Sequence, residues 1–107
     1  MFKKNRTHYE KRSQVFKALA HPARLFMVEE LASGERCVCE LTAMLGLDTS
    51  TVSKHLSVLK NAGVVSDEKR GLMVYYSIKM TCVLGFFSCV QKSLDEDVRQ
   101  QYSILSA

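Results

Sequence analysis

Between Cys37 and Gly63 the chain holds two segments of helical apolar period with only a few residues between them. Val38, Leu41 and Leu45 recur at spacings of three and four, which places them on one side of a short helix over about Cys37 to Leu45, ended by Gly46. The connection Leu47-Asp48-Thr49-Ser50-Thr51 is rich in N-cap residues, and beyond it Val52, Leu56 and Leu59 form the single stripe of a second helix that Ala62-Gly63 closes. Two helices joined through so short a glycine-containing turn make a helix-turn-helix. On the outward side of the second helix Ser50, Ser53, Lys54, Ser57 and Asn61 recur at helical spacing. Short hydroxyl and amide groups and a flexible ammonium reach base edges and phosphates in a major groove about 12 Å wide, while the apolar stripe anchors the helix from behind. Ser50, Thr51, Ser53, Lys54, His55, Ser57 and Lys60 are therefore the candidate DNA contacts of a reader helix. A merely solvated face would also carry serines, and His55 suits packing at the helix edge as well as it suits base reading.

The flanking segments complete one domain. A first helix over Thr7 to Ala20 carries Val15, Phe16, Leu19 and Ala20 and stops before Pro22. His21-Pro22 starts a second, with Leu25, Phe26, Val28 and Leu31 as its buried side and Ser33-Gly34 as its end. After the reader, Val64–Ser66 and Met73–Ile78 read as strands with Asp67–Gly71 as the bend, a hairpin whose tip offers Lys69 and Arg70 to backbone phosphates or the minor groove. A last helix over Thr81 to Asp97 carries Val83, Phe87, Val90 and Leu94, with Cys82, Phe86 and Cys89 on a neighbouring stripe. Two apolar stripes on a terminal helix predict a partner subunit. The expected fold is mainly α with a β-hairpin wing, a winged helix-turn-helix of order α-α-α-α-β-β-α. It forms a homodimer through the first and last helices, and the single domain spans 1–107, with 1–6 as a flexible basic arm and 98–107 as a loose tail.

Composition narrows the function class. At 107 residues, 47% hydrophobic and 24% charged, the chain is an ordinary globular domain. Lys3, Lys4, Arg6, Lys11 and Arg12 against Glu10 account for the whole net charge of +4, which leaves a balanced body behind a basic start. The longest apolar run, Cys82 to Phe87, is far short of the ~20 residues a membrane span needs, and no secretory signal follows the charged N-terminus. A cytoplasmic protein without membrane contact is expected. In such a reducing compartment Cys37, Cys39, Cys82 and Cys89 point to metal or redox chemistry rather than a disulfide framework. No phosphate-cradling glycine loop, HExxH or nucleophile with a motif-borne base occurs, so an enzyme is not expected, nor a cofactor needed for folding.

Leu19-Ala20-His21-Pro22-Ala23-Arg24-Leu25, Cys37-Val38-Cys39-Glu40-Leu41, Ser50-Thr51-Val52-Ser53-Lys54-His55-Leu56 and Leu59–Val65, with Arg70-Gly71 before Tyr75–Ile78, stand in an order that resembles the ArsR/SmtB family of winged-helix repressors from about Val15 to Val90. The resemblance implies a homodimer that occupies double-stranded operator DNA near its own promoter and leaves when a metal or metalloid binds. Cys37-Val38-Cys39 is similar to the CVC box of the family's As(III)/Sb(III) sensors and of its cadmium and lead sensors, which implies Cys37 and Cys39 as inducer ligands. Where the family places a third arsenic cysteine three residues after the box, this chain has Thr42; where its zinc sensors place acidic and histidine ligands on the last helix, it has Met80, Cys82, Ser93 and Glu96. The arm also lacks the cysteine that completes a four-thiolate cadmium site.

Elementary chemistry constrains the thiols further. Residues two apart in a regular helix point about 200° away from each other, so Cys37 and Cys39 reach one ion only if the helix start is irregular. A helix N-terminus favours thiolate over thiol, and thiolates select soft ions. As(III) and Sb(III) commonly take three sulfurs, so two protein thiolates leave one position for Cys82, Cys89, an external thiol or water. Cys82 and Cys89 lie ~10 Å apart along one helix and meet only across a dimer, as an additional thiol site or a redox pair; packing in the dimer core is their alternative role. A persulfide- or oxidant-responsive repressor, and a winged-helix module for protein contacts, are the competing functions.

Overall fold

The computed structural model describes residues 1–106. A 3-10 turn at Lys3–Asn5 leads into α1 (Arg6–Leu19), followed by α2 (Pro22–Leu31), β1 (Arg36–Cys37), α3 (Val38–Leu45), α4 (Thr49–Asn61), β2 (Val65–Arg70), β3 (Met73–Ile78) and α5 (Cys82–Ser106). The strands form one antiparallel sheet of order β1-β3-β2. The expected winged helix-turn-helix is present, with one strand more than the sequence suggested.

A single core holds the reader helix. Val52, Leu56 and Leu59 of α4 are fully buried against Met27, Val28 and Leu31 of α2 and Leu41 of α3, with Val65 and Tyr76 of the sheet and Val64 just before it closing the cluster. Each side chain of this size contributes about 1.5–3 kcal/mol on leaving water. Pro22 occupies the first turn of α2, where its missing N–H costs nothing, and the His21 ring caps that helix by accepting from the Ala23 N–H at 3.1 Å. Gly46 ends α3 at φ +68°, a left-handed conformation costly to any residue with a Cβ, and so allows the chain to turn into α4 within three residues.

Several boundaries differ from the sequence reading. Residues 1–6, expected as a flexible arm, enter a 3-10 turn and then α1, whose first turns are tied by an Arg6–Glu10 ion pair of 2.8 Å. Nor do residues 98–106 form a loose tail: α5 continues through them, because no glycine or proline follows Gly85 to stop it; Ala107 lies outside the described residues. On α2 the buried side is Met27, Val28 and Leu31, while Leu25 and Phe26, expected inside, are partly exposed. Met44 and Met73, read as packing residues, are also exposed. The hairpin is longer than expected: Asp67 to Arg70 are strand, paired through Arg70↔Met73, and the turn is only Gly71-Leu72, with Gly71 at φ +63°. Glycine at positive φ in the first position of a two-residue turn matches the right-handed twist of the strands.

Candidate nucleic-acid interface and thiol site

The reader helix divides its candidate residues into three groups. Ser50, Lys54 and Ser57 are exposed, together with Asn61, and their spacing of four, three and four makes them one continuous face. Thr51 and Ser53 are half-buried beside it. The Ser50 hydroxyl donates to Asp48 at 2.9 Å, and the hydroxyls of Thr51 and Ser50 hold the Asp48 carboxyl below its usual range. An anion at this helix N-terminus is favoured by the macrodipole. Lys60 faces the sheet, paired with Asp67 at 3.0 Å, rather than the open face.

His55 does not project outward. Its ring lies 4.4 Å from that of His21, and its Nδ1 accepts from Arg24 Nε at 3.1 Å. Arg24 in turn reaches the Ala18 carbonyl at the end of α1 at 3.5 Å. Burial, the neighbouring His21 and Arg24 lower the His55 pKa, so the neutral ring that accepts this hydrogen bond is the favoured form. His55 therefore links α4 to Arg24 of α2 and to the His21 cap before it.

At the wing the two basic candidates also part. Lys69 is exposed. Arg70 is folded back onto the body, its guanidinium bidentate to Glu35 at 2.6 and 2.9 Å, paired with Glu68 at 2.9 Å and stacked 4.7 Å above the Tyr75 ring. These carboxylates raise the Arg70 pKa further above its already high value, and Arg70 lowers that of Glu35. The apex itself is Leu72, fully exposed.

Cys37 and Cys39 come together because α3 begins one residue later than the periodicity indicates. Cys37 is extended (φ −79°, ψ 160°), pairs with Tyr75 as part of β1, and acts as the N-cap. Its sulfur accepts from the Glu40 N–H at 3.3 Å while its own N–H donates to Glu40 Oε1 at 3.1 Å, a reciprocal capping box built on a cysteine sulfur. Only Cys39 lies in the helix, so the rule that separates residues two apart does not apply. The two sulfurs are joined as a disulfide, with Cα atoms 5.3 Å apart. A bridge between such near neighbours closes too short a loop to act as a structural staple. Cys37 is buried and Cys39 exposed, so the pair opens to solvent on one side. Thr42, at the position of a third ligand, spends its hydroxyl on the Val38 carbonyl at 2.7 Å. No cluster of three or more His, Cys, Asp or Glu side chains able to hold a metal occurs among the described residues, and Cys82 and Cys89 are free and exposed on α5.

A third surface is apolar. Phe16 and Leu19 of α1, Leu25 of α2 and Phe86, Phe87 and Val90 of α5 line an open groove of about 300 Å³, with the Phe16 and Phe86 rings edge to face at 5.9 Å. Phe86, Val90 and Leu94 are each about half exposed there. No helix among the described residues is long and apolar enough to cross a membrane.

Comparison with known proteins agrees with this geometry. Residues 21–67, from the N-cap of α2 through the reader helix to β2, match the family described as bacterial regulatory protein, arsR family. The chain is 34% identical over 98 residues to the HTH-type transcriptional regulator Rv0081 of Mycobacterium tuberculosis, covering 91% of this chain and 86% of that protein. It superposes on the Rv0081 crystal structure with a TM-score of 0.76 over 87% of this chain and 94% of the other. An equal TM-score of 0.76 at 34% identity, over 86% of this chain and 85% of the other, relates it to the homodimeric winged helix-turn-helix DNA-binding domain of Mb0332 from Mycobacterium bovis. Over shorter stretches it is 45% identical to the arsenic resistance transcriptional regulator ArsR1 of Pseudomonas putida (60% of this chain, 51% of that protein). It is 40% identical to a cadmium resistance regulatory protein CadC homolog of Staphylococcus aureus (62% and 55%). These relatives are transcriptional regulators, not enzymes, and by sequence and fold together the chain belongs to the ArsR family of winged-helix transcriptional regulators.

Proposed function

We propose that the chain is a dimeric repressor that binds operator DNA through α4 and the wing and is released when As(III) or Sb(III) is bound by the thiolates of Cys37 and Cys39. The observation that carries this reading is the extended conformation of Cys37, which turns its sulfur toward that of Cys39 at the N-terminus of α3. With the disulfide reduced, the same geometry offers two convergent sulfurs, one of them accepting from the Glu40 N–H. A soft ion that favours three sulfurs takes two here and the third from an external thiol or from the partner subunit. Because α3 leads through Gly46 and two further residues into the reader helix, tightening its start acts directly on the DNA-reading unit. The relatives named for arsenic and for cadmium resistance support a thiophilic inducer, and cadmium or lead are the alternatives at the same pair.

The DNA contacts of this reading are Ser50, Thr51, Ser53, Lys54 and Ser57 on α4 and Lys69 on the wing. A homodimeric relative supports the dimer, and in this reading it uses α1 and α5, whose exposed phenylalanines a second copy would cover. The disulfide favours one further reading, in which an oxidant joins Cys37 to Cys39 and the same movement follows without an ion. The test is DNA affinity of the reduced protein for a duplex carrying its own promoter, with arsenite added at fixed salt. Arsenite is expected to weaken binding by about 5–150-fold, the usual range of allosteric coupling. The Cys37→Ser/Cys39→Ser variant is expected to bind DNA as before and ignore arsenite; release of that variant by the same factor overturns the assignment, and release by peroxide but not arsenite selects the redox reading.

A further inference from the structure

The thiol pair and the wing share a strand. Cys37 pairs with Tyr75 and Arg36 with Tyr76 through β1, and on the other side of β3 Tyr75 pairs with Glu68 of the wing. Glu35 directly precedes β1, two residues before Cys37, and its carboxylate grips Arg70 one residue before the wing turn. The Tyr75 ring lies beneath the same guanidinium. Arg36 is itself held by Glu40 at 3.4 Å and Glu30 at 3.8 Å, so the short segment from Glu35 to Glu40 is fixed from the wing at one end to α3 at the other. A displacement of Cys37 has few ways to leave Glu35 unmoved.

We propose that Glu35 and Arg70 couple the thiol pair to DNA: with the sulfurs drawn together Glu35 holds Arg70 on the body of the protein, and with the sulfurs apart Arg70 is released to a backbone phosphate. This rests on the sensor reading above and adds its direction and its route. The structure, with Cys37 and Cys39 joined, is of the first kind, and in it Arg70 is engaged by two carboxylates and a ring. Glu35 and Arg70 are each 44% exposed, so solvent and a DNA phosphate can reach the guanidinium and compete with the carboxylate for it. Arg70 is thus a positioning and switching residue rather than a fixed contact, and Glu35, an acid that DNA itself repels, has a function only through it.

The salt dependence of binding reads this directly, because each phosphate contact contributes about 0.9 to the slope of log affinity against log salt. The full-length reduced protein is titrated onto its promoter duplex at several salt concentrations, with and without arsenite, and ion binding is followed separately by thiolate absorbance. For the wild type, arsenite is expected to make the slope shallower by about 2, one phosphate lost per protomer of a dimer. Glu35→Gln is expected to bind arsenite normally, to keep the steep slope and to be released by a smaller factor. Arg70→Lys, which retains the charge but not the fork that fits a carboxylate, is expected to keep the steep slope in arsenite as well. A Glu35→Gln protein whose slope falls with arsenite as in the wild type overturns the coupling, and so does one that no longer binds arsenite, since Glu35 then belongs to the site itself. Should arsenite leave the wild type on DNA, the sensor reading fails, and oxidised against reduced protein decides the coupling alone: a shallower slope in the oxidised form supports it and equal slopes overturn it.

Discussion

His55 shows how one residue's environment separates two roles that the sequence leaves open. Its position on the reader helix suits base contact equally well, and only the approach of Arg24 and His21 from α2 reveals the inward role. The consequence is a pH dependence. Burial chiefly, with His21 and Arg24, sets the folded pKa below the ordinary 6.5, so the unfolded chain takes up the proton first. Stability is unaffected above about pH 6.5 and is lost as pH falls below it through the folded pKa. Asn keeps an acceptor near the place of Nδ1 without titrating, so His55→Asn is expected to unfold at nearly the same urea midpoint at pH 7.5 and to lose less than the wild type at pH 5. An equal loss in both proteins assigns the acid sensitivity elsewhere. Cys37 was partly legible: the sequence shows that two cysteines flanking one residue cannot converge in a regular helix, but not that the helix starts after the first of them, because that is decided by Glu40, which caps the Cys37 N–H, and by the pairing of Cys37 with Tyr75.

At the scale of elements, apolar period located all five helices and both wing strands, and buried stripes such as Val52, Leu56 and Leu59 were read directly. What escaped was set by partners distant in sequence. β1 is two residues long and has no pattern of its own; it exists because β3 offers an edge. The charged stretch Asp67–Arg70 looked like a bend because it is polar throughout, yet an exposed hairpin extends through such residues when the opposite strand continues to pair. The ion pairs of Lys60 with Asp67 and of Arg70 with Glu35 and Glu68 are likewise contacts that no linear spacing reveals. Two predictions belong here. Leu56→Ala empties a fully buried site beneath the reader and is expected to cost about 2–5 kcal/mol by chemical denaturation. Gly46→Ala forces a Cβ into a left-handed position where no neighbour clashes, so the cost is backbone strain alone, about 1–2 kcal/mol, with a parallel loss of DNA affinity if the angle between α3 and α4 is what matters.

The whole molecule is elongated, 60 × 43 × 21 Å, because α5 runs 25 residues while only its first turns reach the core. Leu94 and Val98 remain exposed along it, and together with Phe16 and Phe86 they form a face that a monomer has no use for. Phe86→Glu is expected to shift the protein in sedimentation toward the monomer mass of 12.1 kDa and to abolish specific DNA binding, since two reader helices about 34 Å apart are what recognise an inverted repeat. A Phe86→Glu protein that remains dimeric moves the interface away from this groove. Control of DNA occupancy by one thiol pair is tested by titrating arsenite into the reduced protein–DNA complex while recording thiolate–metalloid absorbance and the anisotropy of the labelled duplex in the same cell. Both signals are expected to change together and to break at about one arsenite per protomer, the stoichiometry of a single soft-ion site. Absorbance that saturates while the duplex remains bound contradicts that control.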